Sequence, residues 1–477
     1  MSDWQRLDRR MLLVHPIREV VRFLPALVAL LVFGTTSGGP AWHYLGVLVP
    51  IALGLLRYLT TGYRVSGDRV ELRRGLLSRR VLTTSIDRIR TVDLTSSPAH
   101  RLLGLTTVRI GTGTADDEGT VDLDGLPIER ARRLRAELLR ESPVAAPDPS
   151  APPLAALRLD PRWARFAPLT STGLALGLGA LGVLLQGSTL VGDQVLHLDD
   201  LADDASGPPA WWLVVPLVAL LLLVLTPALA VAGYLALNWD FTLRHTPPSW
   251  HLTRGLFTTR ETTLAEARVA GVDVVEPLGL RLGGGARLDA IVTGVDRGED
   301  GSSLLVPPAP AAVVDGVAAQ VLGTAAPVEV ELVAHGPAAV RRRWVRALGP
   351  ALSLLVGGVV AVLAGAPPWA LAPGALAVPV AGLLAADRAR ALGHALLDAH
   401  LVARSGSLAR RREMLGTAHV IGWTLRDTWF QRRAGLTTLV ATTAGGRQAV
   451  TVPDVPLEEA VRVADRAIPG LVGQFLR

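Results

Sequence analysis

Charge-free apolar runs alternate along this chain with segments in which single apolar and polar positions take turns. The apolar runs are Phe23–Leu56, Phe166–Gly192, Ala205–Trp239 and Ala347–Ala386. A helix needs about 20 apolar residues to cross the roughly 30 Å of hydrocarbon in a bilayer, so the two middle runs predict one span each and the outer two a pair each. "GTTSGGPAW" (Gly34–Trp42) and "GAPPWALAPG" (Gly365–Gly374) supply the Gly and Pro at which each outer run turns back. The expectation is six spans in three hairpins, with no cleavage site of the small-residue type behind the first run. Five Arg precede that run, "RRRWVR" (Arg341–Arg346) precedes the last, and the loop "DQVLHLDDLADDASGPP" holds five Asp and no Arg. Positive loops stay inside, so both termini are expected in the cytoplasm of a multi-pass plasma-membrane protein.

The polar segments lie on one another. "LRRGLLSRRV" (Leu72–Val81) matches "LTRGLFTTRE" (Leu252–Glu261) at a shift of 180 and "ARSGSLARRR" (Ala403–Arg412) at a shift of 331. At the same shifts "HRLLGLTTVRI" (His100–Ile110) falls on "LRLGGGARLDA" (Leu280–Ala290) and "QRRAGLTTLVA" (Gln431–Ala441), so the chain reads as three copies of one module. Within a copy, "YRVSGDRVELRRGLLSRRVLTTSI" alternates apolar and polar residues around glycine turns, the pattern of successive β-hairpins. "LPIERARRLRAELLR" (Leu126–Arg140) and "VPLEEAVRVADRAI" (Val455–Ile468) begin with Pro, carry Glu early and Arg late, and predict a closing helix. The middle copy ends in "VPPAPAAVVDGVAAQVL" (Val306–Leu322).

The predicted organisation is an α+β membrane protein: an N-terminal arm and hairpin over 1–61, module one over 62–140, a Pro-rich linker over 141–165 and hairpin two over 166–239. A degenerate module two over 240–340, hairpin three over 341–390 and module three over 391–477 complete it. Each module is an antiparallel sheet or barrel closed by one C-terminal helix.

Composition sharpens the picture at three points. With 49% apolar residues and a mean hydropathy of +0.37, the chain is too apolar for an ordinary soluble protein. It holds no Cys, which excludes disulfides, a thiolate nucleophile and Cys-ligated metal. All 48 of its basic residues are Arg and its pI is near 10.6, a balance suited to anionic partners such as lipid headgroups.

Catalytic signatures are sparse. No HExxH pair or Gly-x-Ser-x-Gly elbow occurs, and His394 and His400, six apart, are expected at a surface or interface and not as paired metal ligands. "LGGGAR" (Leu282–Arg287) lacks the Gly-Lys-Ser/Thr of a phosphate loop, and "ADDEG" (Ala115–Gly119) lacks the spaced ligands of a calcium loop. The runs contain no ionisable residue except His43, which argues against a transport path, the competing reading as a component of a transporter or exporter. The expectation is a protein that is not an enzyme and needs no cofactor or metal.

Arginines carry the remaining candidate chemistry. Arg101, Arg281 and Arg432 hold equivalent positions in the three copies and are expected to tie a turn to carbonyls or an acid. Arg73, Arg74, Arg79 and Arg80 in copy one and Arg404, Arg410, Arg411 and Arg412 in copy three form rows on the first hairpin, joined by Arg254 and Arg260 in copy two. Near a negative inner leaflet each is worth about 1 kcal/mol, so the rows of copies one and three are candidate contacts for anionic headgroups. The competing expectation is a solvated edge strand whose charges prevent aggregation.

A membrane hairpin, then "GYRVSGDRVELRRGLL", then "SIDRIRTVDLTSSPAHRLLGLTTVRI" and a terminal helix resembles the bacterial pleckstrin-homology-like membrane proteins of the YdbS and YdbT type, and triplication with six spans resembles the latter. The resemblance implies a curled antiparallel sheet with a C-terminal helix and supplies no reaction. Sheet modules tethered to spans, with no catalytic constellation, make the expected role a membrane scaffold that binds a protein partner, another protein of this kind among the candidates, in envelope maintenance or stress defence, with no role for nucleic acid.

Overall fold

A computed structural model describes residues 5–6, 8, 10–12, 62–66, 69–74, 80–85, 89, 91–111, 121–140, 154–170, 173, 175, 179, 211–292, 303–443 and 449–468. One series of elements recurs along it: a three-stranded meander, a fourth strand, a one-turn helix, two more strands and a closing helix. Its first pass is β2 (Gly62–Ser66), β3 (Arg69–Arg74), β4 (Arg80–Ser85), β5 (Thr91–Ser96), α1 (Pro98–Leu102), β6 (Leu105–Gly111), β7 (Val121–Pro127) and α2 (Ile128–Arg140), with a short β1 (Gln5–Arg6) paired to β2. The second pass is preceded by β8 (Leu154–Arg158) and α3 (Trp211–Asn238). It comprises β9 (Thr242–Thr246), β10 (Ser249–Arg254), β11 (Thr259–Ala265), β12 (Val269–Pro277), α4 (Leu278–Leu282), β13 (Gly285–Val292), β14 (Leu304–Pro310) and α5 (Ala311–Leu322). After a short α6 (Ala326–Glu329) come two long helices, α7 (Gly336–Leu363) and α8 (Ala372–Ala391). The last pass is β15 (Gly393–Leu396), β16 (His400–Ser405), β17 (Ala409–Gly416), β18 (Val420–Arg426), α9 (Trp429–Arg433), β19 (Leu436–Thr443), β20 (Ala449–Pro456) and α10 (Leu457–Ala467).

The stretch repeated most clearly in the sequence is the turn from the one-turn helix into the next strand. Gly104, Gly284 and Gly435 all stand there with φ near +70°, a left-handed conformation in which a Cβ would clash with its own backbone. The closing helices follow a proline: Pro127 ends β7, and Pro310 and Pro456 are the N-caps of α5 and α10.

Sheets run across module boundaries. β7-β6-β5 of the first module continues through β11-β10-β9-β8 of the second into one seven-stranded sheet, and β14-β13-β12 continues through β17-β16-β15 into a six-stranded one. The outer half-sheets stand alone: β1-β2-β3-β4 at one end and β18-β19-β20 at the other. One face of each shared sheet lines one module's core and the other face the next. The middle core (Trp250, Leu264, Val272, Leu288) therefore takes in Ala395, Val402 and Met414 from the third module, whose own core takes in Ala270 and Ile291 from the second. The first module packs Val70, Leu72, Val92, Leu94, Val108, Leu123 and Leu134 against one another.

Three expectations change. Residues 154–158, expected in the Pro-rich linker, form β8, whose LAALR pairs with β9. The start of the second apolar run is not a span: Pro161–Leu169 is a 3-10 segment that buries Trp163 and Phe166 in the middle core, because these rings find more partners there than in a linker. And β11 and β17, for which a solvated edge was the competing expectation, are interior, since β5 and β12 pair with them.

Two helices, Gly336–Leu363 and Pro368–Ala391, are long and apolar enough to cross a membrane by length and composition, and only 6% and 17% of their apolar windows are buried. A soluble core helix of that length would be covered; here Leu354, Val356, Val360, Leu363, Leu376 and Leu383 are all more than half exposed. The remaining predicted spans lie outside the described residues, apart from α3, which sets Ala230 and Tyr234 against the middle core.

Candidate functional site: the arginine-lined joints

Both joints are built the same way. β5 pairs with β11 so that Asp93 lies opposite Thr262, and β12 pairs with β17 so that Asp273 lies opposite Glu413. Arg101, on the one-turn helix of module one, donates to the Leu256 carbonyl in the β10–β11 turn of module two. Its counterpart Arg281 donates to the Ser407 carbonyl in the β16–β17 turn of module three at 3.5 Å, and the Leu278 amide donates to Leu408 at 2.7 Å. Arg432, third of the set, pairs with Asp427 at 3.0 Å in its own module and is exposed.

The row on the first hairpin of module three is engaged with acids and carbonyls. Arg411 pairs with buried Asp273 at 3.0 Å, and Arg412 donates to the Pro327 and Val330 carbonyls at 2.9 Å each. Arg410 and Arg281 share the Asp387 carboxylate at 3.0 Å each, so the last turn of α8 is tied to modules two and three together. Arg404 donates to the Ala391 and Arg390 carbonyls. At the first joint Glu261, the equivalent of Arg412, accepts from Arg132 and Arg135 of α2 at 3.2 Å each. In module one, Arg74 faces Arg80 across the end of the β3–β4 ladder and Arg73 faces Val81, while Arg79 lies outside the described residues.

Asp93 faces out of its own module and into the neighbour's sheet. Burial raises its pKa to about 6, against a side-chain hydrogen bond with Thr262 and the charges of Arg109, Arg260 and Arg254, which oppose the rise.

A second polar cluster holds α7 onto module three. Asp454, fully buried on β20 with φ of 57°, is ion-paired to Arg342 and, at 2.6 Å, to Arg343 in the second turn of α7. Gln431 donates to Asp454 at 2.8 Å and to Thr438 at 2.9 Å, and is itself fixed by the capping box it forms with Thr428. Module one carries the counterpart: His100 stands in for Gln431 and Thr107 for Thr438, both bonded to buried Asp124, with Ser97 as the cap.

His335, immediately before α7, donates from Nδ1 to the Pro453 carbonyl at 3.0 Å, so its neutral Nε2 accepts from His394 Nδ1 at 3.1 Å. Burial and the neighbouring imidazole push the His335 pKa down to about 4. Burial also lowers that of His394, although Glu459 lies 3.6 Å from its Nε2 and acts in the opposite direction. Of the two histidines expected at a surface or interface, His394 is thus buried at one, between β15, α7 and α10, and His400 is half-buried. Among the described residues no group of three or more His, Asp or Glu is arranged to hold a metal ion.

Arg342, Arg343, Asp454, Gln431 and Asp93 were not singled out by sequence reasoning. The 331 shift that lays His100 on Gln431 also lays Thr107 on Thr438, and that coincidence of polar residues among apolar neighbours was the available signal.

A family model described as the bacterial PH domain matches the chain twice, over residues 19–142 and 340–468. No curated protein and no solved structure matches it.

Proposed function

The chain belongs to the bacterial PH domain family, a family of binding modules, and from that premise we propose that it is a non-catalytic membrane scaffold of the YdbT-like, triplicated type. In this reading three hairpins, six spans in all, hold three modules on the cytoplasmic side, where they bind a protein partner in envelope maintenance or stress defence. The middle module, which the family model does not match, counts as the third copy because it repeats the same elements and the same joint. The observation that carries the proposal is the direct coupling of an apolar hairpin to module surfaces: α7 enters module three through Arg342 and Arg343 on Asp454, and α8 leaves it through Asp387 on Arg410. Such coupling sets the orientation of a module at the bilayer, which a flexible tether would not.

Anionic headgroups are a proposed second contact. Arg73, Arg74, Arg79 and Arg80 on the first hairpin of module one and Arg404, Arg410, Arg411 and Arg412 on that of module three are the residues of this proposal; the guanidinium groups of Arg410, Arg411 and Arg412 are also engaged with acids or carbonyls.

The absence of Cys in the chain makes the topology directly measurable. Single cysteines placed at Gly62, Asp240 and Arg390 are expected to resist a membrane-impermeant maleimide in intact cells and to react after permeabilisation, and one at Asp200 to react in intact cells. Labelling of any of the first three from outside would overturn the six-span, cytoplasmic-module reading.

A further inference from the structure

The two joints are one operation performed twice. The step from module one to module two adds 180 to a residue number, and from two to three 151, the difference between 331 and 180. Applied to the first joint, Asp93 opposite Thr262 becomes Asp273 opposite Glu413, which is the register observed at the second. In each case the fourth strand of one module meets the third strand of the next, and the helix-borne arginine reaches the turn before that third strand.

At the ends of the chain the same two edges are open among the described residues. β18, equivalent to β5 and β12, pairs with β19 and has no strand on its other side; β4, equivalent to β11 and β17, pairs only with β3. Exposure follows. In β12 the residues 270–275 are all buried, whereas in β18 Ile421 is 60% exposed, Leu425 44%, and Thr424 and Arg426 are exposed as well. On β4, Val81 is 52% exposed. Trp429 and Phe430 of α9, the helix that follows β18, add two exposed rings at 56% and 70%. An exposed strand edge with apolar side chains is a template for pairing with another chain.

We propose that copies of this protein join head to tail, β18 of one pairing antiparallel with β4 of the next in the register of the internal joints. Extending the two shifts places Thr424 opposite Leu82, Leu425 opposite Val81 and Trp423 opposite Thr83. Exposed Leu425 and Val81 then cover each other. The polar pairs of the internal joints, Asp93 with Thr262 and Asp273 with Glu413, become Thr424 with Leu82, so neither open edge carries a carboxylate that would need its partner when exposed. Arg426 falls opposite Arg80, a like-charged pair, and Asp427, next in sequence, is paired with Arg432. The occupant is a second copy because the edge that β18 requires, a third meander strand at this register, is the one this chain leaves open on its own first module. Such a contact joins unlike surfaces, and repeated it gives open rows or closed rings.

The inference rests on the joints and not on the topology, so its test fails separately from the labelling experiment. Two differently tagged full-length chains, Val81→Cys and Leu425→Cys, are coexpressed and oxidised in membranes with copper phenanthroline. Directly opposed residues in an antiparallel pair lie about 4.5–5.5 Å apart at Cα, within disulfide reach. The expected result is a disulfide between the two tags, with far less from Leu425→Cys paired with Thr83→Cys, two positions out of register. Both cysteines replace exposed side chains on the sheet surface, so folding is retained. No disulfide between the tags, equal yield from both pairings, or dimers within a single variant would overturn head-to-tail assembly.

Discussion

Asp454→Asn is expected to destabilise the junction between α7 and module three by about 3–5 kcal/mol, the cost of removing one partner from a buried ion pair. Asp454 is fully buried, and the side chains of Arg342 and Arg343 are only 12% and 18% exposed, so solvent does little to replace the lost charge. Asn keeps the left-handed backbone at φ of 57° accessible and can still accept from Gln431, which isolates the charge as the variable. Ala would add a strain of about 1 kcal/mol or more. Denaturant unfolding in detergent, followed by amide exchange of β20 and the first turns of α7, would measure the loss. A change below about 1 kcal/mol would mean that the arginines find other partners and that α7 is not held by this pair.

Asp93→Asn should act in the opposite direction. The folded pKa of about 6 lies above the ordinary value of 3.8, so between those limits the folded chain binds more protons than the unfolded one. Stability therefore falls as pH rises from about 4 to about 6, and above 6 the whole penalty is present, about 3 kcal/mol at 1.36 kcal/mol per pKa unit. Asn cannot ionise and retains a hydrogen bond with Thr262. The variant is expected to be more stable than the parent at pH 7 by up to about 3 kcal/mol and equal to it near pH 4, read from amide exchange of β5 and β11. Equal stability at pH 7 would show that Arg260 and Arg254 already compensate the buried charge.

Much of this architecture is legible in the chain. The glycines of "RLLGLTT", "RLGGGAR" and "RRAGLTT" mark one left-handed turn three times, and the prolines before α2, α5 and α10 mark where helices begin. Alternation in "YRVSGDRVELRRGLLSRRVLTTSI" marks the successive hairpins where β2, β3 and β4 stand, because one face of each strand is buried. What alternation does not encode is the partner on a strand's far side. β5 and β11 are more than 160 residues apart, and a row such as "ARRRE" reads the same at a solvated edge as at a joint where each guanidinium meets a carboxylate or a carbonyl. The cluster around Asp454 was hidden for a similar reason: Arg342 and Arg343 look like the positive end of a span, and only folding brings β20 to them. β8 was missed because "LAALR" follows a Pro- and Ala-rich stretch whose composition is that of a linker, while its pairing depends on β9 beyond a long apolar segment.

Edge-to-edge continuity of neighbouring modules is the claim on which the rest depends, and one intrachain disulfide tests it. Thr95 lies directly opposite Arg260 where β5 meets β11. Thr95→Cys with Arg260→Cys in the full chain should oxidise within a single molecule, giving a faster-migrating band that reverts on reduction. Thr95→Cys with Glu261→Cys, one residue out of register and facing the other side of the sheet, should not. Equal cross-linking of the two pairs, or none with the first, would contradict a shared sheet and leave the modules as separate bodies on a common anchor.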